Sequence, residues 1–399
     1  MPVTVFAYPK KKVTLIICSL AIGGFGIGIG EFAFMGLMPV VALDLGVTEP
    51  QVGHLISVYA LGVVVGAPLF ALLGARVFRQ RLLVILMGFY SLGNFAIAMA
   101  ANYETLLVYR FISGLPHGAY LGIAALVSAS LVPTDKRAKA VSLTMTGLTL
   151  ALLLGNPLAT LLGQHFDWRY VFGFIAIIAG LTAVSIFVTL PLNREESHHS
   201  PLSELRAFNH RAVWYPMAIG AIGFAGMFTV LSYLAPTLLN VTQAEPLWIP
   251  IALFLFGVGG FVGNILGGWL FDRLRFQSVG WILLSAVAVL MLFPVAAGSI
   301  WSMLVICFLV ALMVAMAPAL QTHLMDVAVG AQTLAATSHQ AAFNLANALG
   351  PWFGGMAINA GMGWQSTGYV GAVTASVGLI AFFIAWKNQN QTAEVTTAC

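Results

Sequence analysis

Charged side chains are scarce in this sequence. Asp, Glu, Lys and Arg make up only 8% of its 399 residues, hydrophobic residues make up 60%, and the mean hydropathy is +0.95. A soluble domain carries roughly 25% charged residues, so this composition cannot cover a water-exposed surface. We therefore expect a lipid bilayer to surround much of the chain. The net charge is +4, but the basic residues lie in short clusters between apolar segments, so no nucleic-acid partner is expected.

Cysteine and catalytic motifs are equally sparse. The three cysteines, Cys18, Cys307 and Cys399, lie far apart and show neither disulfide nor metal-ligand spacing. The sequence contains no serine, cysteine or zinc catalytic constellation and no ATP-binding loop. We therefore expect no metal, no cofactor and no enzymatic activity, and a membrane-embedded enzyme is disfavoured. Any transport must be driven by an ion gradient, by the substrate gradient or by a partner.

Long apolar runs fill the chain instead. A membrane-spanning helix needs ~20 mostly apolar residues, and the sequence predicts twelve such spans. Their ranges are 14–38, 52–74, 82–101, 105–132, 138–163, 168–191, 213–236, 248–271, 279–297, 300–324, 333–358 and 366–386. A cleaved signal peptide is an alternative for the first span, but the run is too long and contains Glu31.

The basic residues indicate an orientation. Fifteen of the 17 Lys and Arg residues lie at the termini or in connections from even to odd spans, and the exceptions are Arg110 and Arg169. Positive charge concentrates on the cytoplasmic side of membrane proteins, so both termini are expected in the cytoplasm. The fifteen are Lys10, Lys11, Lys12, Arg76, Arg79, Arg81, Lys136, Arg137, Lys139, Arg194, Arg206, Arg211, Arg273, Arg275 and Lys387.

The spans divide into two related halves. A polar linker at 192–212 separates a six-helix bundle at 1–191 from a second at 213–390, and a flexible tail is predicted at 391–399. The fifth span of each half is broken by a Gly and Pro pattern, Gly155-Asn156-Pro157 and Gly350-Pro351. Repeated halves with broken helices are typical of transporters whose binding site lies between the halves.

Two loops carry a family resemblance. The loop after span eight, Gly268-x-x-x-Asp272-Arg273, is similar to the gating loop of the major facilitator superfamily. The loop after span two keeps Arg76, Arg79 and Arg81, although Ala75 stands where that family has an acidic residue. The resemblance implies an all-α fold of two six-helix pseudo-repeats, with these five charged residues acting in gating.

Motifs inside the spans narrow the resemblance. Arg110 with Gly114 and Gly118 resembles the intramembrane-arginine motif of the superfamily, and Gly147 through Pro157 resembles its antiporter motif. The segments 30–39 and 59–68 are similar to the drug:proton antiporters with 12 spans, of the arabinose-efflux-permease type. The resemblance implies a proton-driven exporter, multi-pass in a bacterial inner membrane. It does not indicate the substrate, and we expect a sugar or a drug-like compound and a monomeric protein.

Glu31 and Arg110 are the only acid or base deep inside the spans. At ~1.5 Å per residue both lie ~10 Å below the outer surface, and buried ionisable groups are costly unless they serve a function. Burial favours a neutral carboxyl whereas a nearby arginine favours a charged one, so Glu31 is a candidate proton carrier. The alternative is a structural Glu–Arg pair. Arg110 is either its electrostatic partner, an anion clamp or a packing residue bonded to backbone carbonyls.

Other polar groups in the spans predict a proton relay and a substrate cavity. His117 follows Arg110 by seven residues on the same face, and it either relays protons or is a neutral, bonded histidine. The stripe His339, Phe343 and Asn347 is expected to line the cavity. The other expected lining residues are Asn156, Phe228, Tyr233 and Asn264. Interhelical hydrogen bonding is the alternative for the asparagines. An aromatic and amide lining suits a neutral or weakly polar molecule.

The function predicted from these features is proton-coupled export of a small molecule by alternating access. A sugar or metabolite uptake symporter is the alternative within the same class, because composition does not indicate direction. A transport-inactive receptor or scaffold of the same fold is the alternative from another class, although the buried Glu31 and Arg110 argue against it.

Overall fold

The fold is entirely helical over the residues that the computed structural model describes, 9–74, 77–133, 136–192, 211–327 and 332–397. Sixteen α-helical segments are present in these ranges. The first half contains α1 Lys10–Leu45, α2 Glu49–Gly74, α3 Arg79–Ala98, α4 Tyr103–Ser130, α5 Arg137–Leu150, α6 Asn156–His165 and α7 Arg169–Thr189. The second contains α8 Arg211–Gly223, α9 Ala225–Ser232, α10 Leu234–Asn240, α11 Trp248–Leu274, α12 Gln277–Ala296, α13 Ile300–Ala311, α14 Met316–Val327, α15 Gln332–Asn359 and α16 Ser366–Thr397.

Several segments join end to end because proline interrupts their hydrogen-bond ladders. A π-turn at Ala151–Gly155 links α5 to α6 just before Pro157, which has no N–H to donate to the preceding turn. A 3₁₀ turn at Leu312–Ala315 links α13 to α14 in the same way before Pro318. Predicted spans five and ten therefore contain breaks, and the one in span five coincides with the antiporter-like motif.

Within the described residues, eleven helical stretches are long and apolar enough to cross a membrane. The other long helix, α15, has 28 residues but carries the polar side chains Gln340, Asn344 and Asn347. The count of twelve spans thus stays a prediction. Residues 193–210 of the predicted linker lie outside the described residues, and α16 continues into the predicted tail as far as Thr397.

Glycine lets the helices of each half pack closely. In the first half α2 packs along α4 and α3 along α7, and in the second half α12 packs along α16 and α9 along α15. A Cβ atom at Gly114 on α4 would collide with the carbonyl oxygen of Tyr59 on α2. Close backbone approach of this kind is typical of membrane helix interfaces, and it places the faces of α2 and α4 that carry the site side by side.

The two ends of the bundle differ in charge. We call the end with the Lys- and Arg-bearing connections, such as those after Ser130 and Leu274, the basic end, and the other the opposite end. Arg169 lies at the opposite end, where its Nη1 is 2.7 Å from Asp44 Oδ2. This ion pair joins α7 to the end of α1 and is a structural reason for the one basic residue on that side.

Candidate functional site

A cavity of about 600 Å³ lies between the two halves. Glu31 and Phe32 of α1 line one end of it, and Ala129 of α4 and Met325 of α14 line the other. Since α4 and α14 terminate at Ser130 and Val327, the cavity extends from the middle of the bundle toward the basic end. Its volume suits a drug-sized molecule.

The lining is mainly apolar. Besides Phe32, four phenylalanine rings and three methionines dominate it, and flexible methionine side chains adapt to ligands of different shape. These residues are Phe228, Phe256, Phe261, Phe343, Met145, Met227 and Met325. The polar lining side chains are Glu31, Thr149, Asn264, Gln321, His339 and Gln340. Among the described lining residues, Glu31 is the only carboxylate and none is Lys or Arg.

Glu31 lies at the closed end of the cavity and is 2% exposed. Its Oε1 accepts a hydrogen bond of 3.0 Å from Asn347 Nδ2 on α15 in the other half. Its Oε2 lies 4.0 Å from Nε2 of His117 on α4. The carboxyl group therefore has a hydrogen-bond partner on the second half and an ionisable neighbour on the first.

His117 has a tyrosine hydroxyl as its hydrogen-bond neighbour. Its Nδ1 lies 3.0 Å from the hydroxyl of Tyr59 on α2, and His117 is buried at 2% exposure. Tyr59 itself is fully buried. A chain of polar groups thus runs from Tyr59 through His117 and Glu31 to Asn347. Nδ1 of His117 is within hydrogen-bond distance of Tyr59, and Nε2 faces Glu31 at 4.0 Å, a distance that must shorten before a proton can pass.

Arg110 does not form the expected ion pair with Glu31. Its Nη1 donates 2.8 Å to the carbonyl oxygen of Gly30, and its Nε donates 3.2 Å to that of Leu55. The guanidinium carbon lies 4.1 Å from the ring centre of Tyr59 and 4.8 Å from that of Phe34. Backbone carbonyls and aromatic ring faces therefore surround this buried cation, as expected if Arg110 is a packing residue bonded to backbone carbonyls. Its Nη2 has no hydrogen-bond partner among the described residues.

Contacts between the halves close the opposite end. Ser57 Oγ on α2 donates 2.7 Å to the carbonyl oxygen of Ala348 on α15, next to the Asn347 contact. Gln164 Nε2 on α6 donates 2.9 Å to the carbonyl oxygen of Pro246, which precedes α11. With the bond between Glu31 and Asn347, these contacts join first-half helices to second-half elements at or beyond the level of Glu31.

The predicted cavity residues divide into two groups. Phe228, Asn264, His339 and Phe343 line the cavity, and the rings of Phe228 and Phe343 stack edge to face at 5.0 Å. Three predicted lining residues lie elsewhere. Tyr233 donates 2.7 Å to the carbonyl of Pro351 at the opposite end, Asn347 bonds to Glu31, and Asn156 is buried beside the π-turn. Tyr233 and Asn347 form hydrogen bonds to other helices and do not line the cavity.

The predicted gating residues lie at the basic end. Asp272 and Arg273 are exposed, and the Arg273 guanidinium lies 4.1 Å above the Trp269 ring. Arg81 lies 5.5 Å above Phe78, and Arg79 begins α3. Asp272 has no ion-pair partner among the described residues. Arg76 lies outside the described residues, so the gating role of this loop stays a prediction.

Sequence reasoning missed Tyr59, Gln321 and Gln340. Tyr59 lies in a segment that carries the family resemblance, but its partner His117 is 58 residues away, and no local pattern joins them. Gln321 and Gln340 each lie near a histidine in the sequence, at His323 and His339, and a search for every uncharged amide in the spans would have found them.

Comparison with known proteins gives consistent matches. Residues 20–338 match the family described as Major Facilitator Superfamily. The chain is 38% identical to the inner membrane transport protein YdhP of Escherichia coli K12, over 97% of this chain and 100% of that one. It is 32% identical to AraJ of the same strain, over 96% of this chain and 97% of AraJ. It is 33% identical to a chloramphenicol resistance protein of Streptomyces lividans, over 91% and 92% of the two chains.

A solved structure shares the fold. It is a bacterial homolog of the human lysosomal transporter Spinster in an inward-facing and unoccupied conformation, with a TM-score of 0.75. The alignment covers 95% of this chain and 98% of that chain at 16% identity. At this identity the likeness concerns the arrangement of helices alone.

Proposed function

Because the chain belongs to the Major Facilitator Superfamily, we propose that it is a proton-coupled secondary transporter that exports a small molecule by alternating access. The two six-helix halves rock about a central site, as in other transporters built from repeats. The cavity between the halves is the substrate site, the proton gradient is the energy source, and no cofactor takes part.

One observation carries the proposal of proton coupling: Glu31 is the only carboxylate among the described residues that line the cavity. A carboxyl group at 2% exposure is favoured in its neutral form, and it is favoured as an anion when water or a cation reaches it. Proton and substrate therefore compete at one place. Loss of the proton to one side of the membrane and its uptake from the other drive the cycle.

Export rather than uptake is supported by two observations. The π-turn at Ala151–Gly155 occupies the segment that resembles the antiporter motif. A relative of nearly the same length is named a chloramphenicol resistance protein, and export of the drug is the route by which a transporter would confer resistance. The apolar, methionine-rich lining supports a neutral, drug-like substrate. A sugar would instead depend on the uncharged polar lining groups, such as Asn264, Gln321 and Gln340.

The proposed topology has twelve spans in a bacterial inner membrane, with both termini in the cytoplasm. The distribution of basic residues supports it, as does the name of the relative YdhP. The basic end is then cytoplasmic, and the cavity of this structure faces inward. A monomer contains both halves and the whole cavity, so we propose that the monomer is the working unit.

Flux measurements in proteoliposomes test the proposal. Purified protein is reconstituted with an imposed pH gradient and screened against labelled sugars and hydrophobic drugs. Movement of a substrate opposite to the proton flow is expected, and reversal of the gradient should reverse it. Movement in the same direction as the protons would identify an uptake symporter. Flux that ignores the pH gradient in every case contradicts proton coupling.

A further inference from the structure

The bond between Glu31 and Asn347 is the only hydrogen bond that joins Glu31 to the second half among the described residues. Asn347 is fully buried, and its Nδ2 donates to Glu31 Oε1 at 3.0 Å. Its second polar atom, Oδ1, has no hydrogen-bond partner among the described residues. A buried acceptor without a partner costs free energy, so a hydrogen-bond donor placed beside this oxygen would stabilise the contact.

A protonated carboxyl group supplies that donor. An ionised Glu31 only accepts hydrogen bonds, so it uses Nδ2 of Asn347 and leaves Oδ1 unpaired. A protonated Glu31 has one O–H group, which donates to an amide oxygen while its other oxygen still accepts from the amide nitrogen. An acid and a primary amide therefore form two parallel bonds where an anion and the same amide form one.

We propose that Asn347 is the residue that couples protonation of Glu31 to closure of the opposite end, by forming a two-bond clasp with the protonated acid and a one-bond contact with the anion. The proposal rests on the proposed function and deepens it. The clasp joins α1 to α15, and the next residue, Ala348, accepts the Ser57 bond of the same closure. Removal of the proton weakens the clasp and leaves a buried charge, so the opposite end opens and hydrates Glu31.

This coupling orders the steps of export. The proton-loaded carrier remains closed at the opposite end, with the cavity facing the basic end. Substrate that enters the cavity and displaces the proton from Glu31 removes one of the two clasp bonds. The halves then separate at the opposite end, and the substrate leaves on that side. Asn347 is thus a positioning residue, since it acts through Glu31 and does not line the cavity.

Other ionisable groups near Glu31 could also respond to pH, and the experiment must separate them. Arg110 and His117 on α4, Tyr59 on α2 and Tyr90 on α3 act on Glu31 electrostatically or by proximity, and His339 on α15 lines the same cavity. The clasp differs from these groups in one respect: it needs an acid and an amide facing each other across the halves.

Spin labels on the opposite end measure closure directly. Thr48 and Ala360 are exposed, lie in different halves and follow α1 and α15. Both are replaced by labelled cysteines in the full chain, with Cys18, Cys307 and Cys399 replaced by serine or alanine. Pulsed electron resonance in nanodiscs, in acidic and in alkaline buffer, gives the ratio of closed to open molecules. No substrate is needed.

Four variants distinguish the clasp from simple packing. Glu31→Gln presents both a donor and an acceptor at any pH, so it should stay closed in both buffers. Asn347→Leu makes no hydrogen bond to Glu31 in either state, so it should lose the response to pH and be no more closed than the unaltered protein in alkaline buffer. The exchange Glu31→Gln with Asn347→Asp restores an acid facing an amide, so it should restore the response to pH. Asn344→Leu, a buried asparagine one turn earlier on α15, is the matched control and should behave like the unaltered protein.

The unaltered protein should become roughly fivefold more closed in acid, the ratio that one net hydrogen bond supports. An unchanged pH response in Asn347→Leu overturns the proposal, as does an equal loss in Asn344→Leu or a failure of the exchanged pair to respond. A different result would contradict the proposed function: the label distances change with pH and depend on Asn347, but the flux does not depend on the pH gradient. If flux is driven by protons but the label distances do not change with pH, the clasp proposal is wrong and the proposed transport function stands.

Discussion

The guanidinium of Arg110 donates a 2.8 Å hydrogen bond to the carbonyl oxygen of Gly30, the residue immediately before Glu31. The arginine therefore acts on the carboxyl group through the backbone that carries it, as well as through space. A second bond, to Leu55, ties the same side chain to α2. Arg110 thus holds α1, α2 and α4 in the register that brings Glu31, Tyr59 and His117 together.

Arg110→Lys should destabilise the first half. Lysine cannot reproduce the planar fork that serves two carbonyls while lying against two aromatic rings, so a loss of about 2 kcal/mol or more is expected. Thermal unfolding in detergent measures the effect. Arg81→Lys is the matched control, because Arg81 is exposed and lies over Phe78 alone. Equal stability of Arg110→Lys and the parent would contradict the anchoring role.

Glu31→Gln should abolish accumulation driven by a pH gradient. Glutamine keeps the size and hydrogen bonding of the side chain but never changes its charge, so no proton is exchanged. Substrate binding should persist and lose its dependence on pH. Equilibrium binding and proteoliposome flux measure the two effects, with the exposed Glu245→Gln as the control. A folded Glu31→Gln protein that still concentrates substrate in response to pH would leave His117 as the next candidate carrier.

If Glu31 and Arg110 instead formed only a structural charge pair, the same variant would behave differently. Glu31→Gln would lower thermal stability or expression, and neutralisation of Arg110 in the same chain would restore transport. Because Arg110 is bonded to Gly30 and Leu55 in this structure, we expect no such rescue. Flux and thermal unfolding of the double variant decide between the two cases.

Tyr59→Phe should change the pH profile of transport. The variant removes the hydroxyl that lies 3.0 Å from His117 Nδ1, so the histidine loses the partner that selects its tautomer. A destabilisation of about 1 kcal/mol is also expected for the lost buried bond. Tyr120→Phe is the control, since the Tyr120 hydroxyl donates 2.9 Å to the carbonyl of Leu20 and is equally buried. An altered profile in both variants, or in neither, would exclude a relay through Tyr59.

Asp272→Asn should slow transport while expression stays normal. Asp272 is the acid of the only gating loop that keeps one. It is exposed at the basic end and has no ion-pair partner within the part of the chain that the structure describes. We expect it to gain a partner when that end closes, so its loss should slow closure. Initial rates of flux measure this effect, with the exposed Glu104→Gln at the opposite end as the control. Equal rates in Asp272→Asn and the parent exclude a latch.

Reporter fusions test the topology. Fusions at residue 200 and at the C-terminus should both report cytoplasm, because fifteen of the 17 basic residues lie on that side. A fusion at Gln243, between α10 and α11, should report the periplasm. A periplasmic signal at either of the first two points would remove the twelve-span arrangement.

Much of the architecture could be predicted because it depends on local properties of the chain. Apolar runs of sufficient length specify the spans, and the antiporter-like proline motif in span five marked the place where the π-turn occurs. The resemblance to the Major Facilitator Superfamily, which depended on short motifs, is confirmed. The ends were less accurate: α1 runs from Lys10 to Leu45 where 14–38 was predicted, since helices continue beyond the hydrocarbon region.

The site was predictable only in part. Glu31, Arg110 and His117 were predicted because ionisable groups stand out in apolar spans, and their roles in proton coupling stay predictions. Phe228, Asn264, His339 and Phe343 do line the cavity. The direction in which Arg110 points, the placement of Tyr233 and the partner of Asn347 were not predictable. Each depends on how far a helix is rotated about its axis, which apolar spans specify weakly because lipid and protein interior are both apolar.

The amino-acid sequence alone was enough to predict apolar helices that span a membrane and a carboxyl group buried among them. These properties follow from composition and from spacing along one helix. Only the tertiary structure decided that Glu31 meets Asn347, 316 residues away, and that Arg110 binds Gly30 rather than the acid. Such pairings arise where glycine allows helix backbones to touch, and that close packing sets the rotation of each helix and so the partner of each buried polar group.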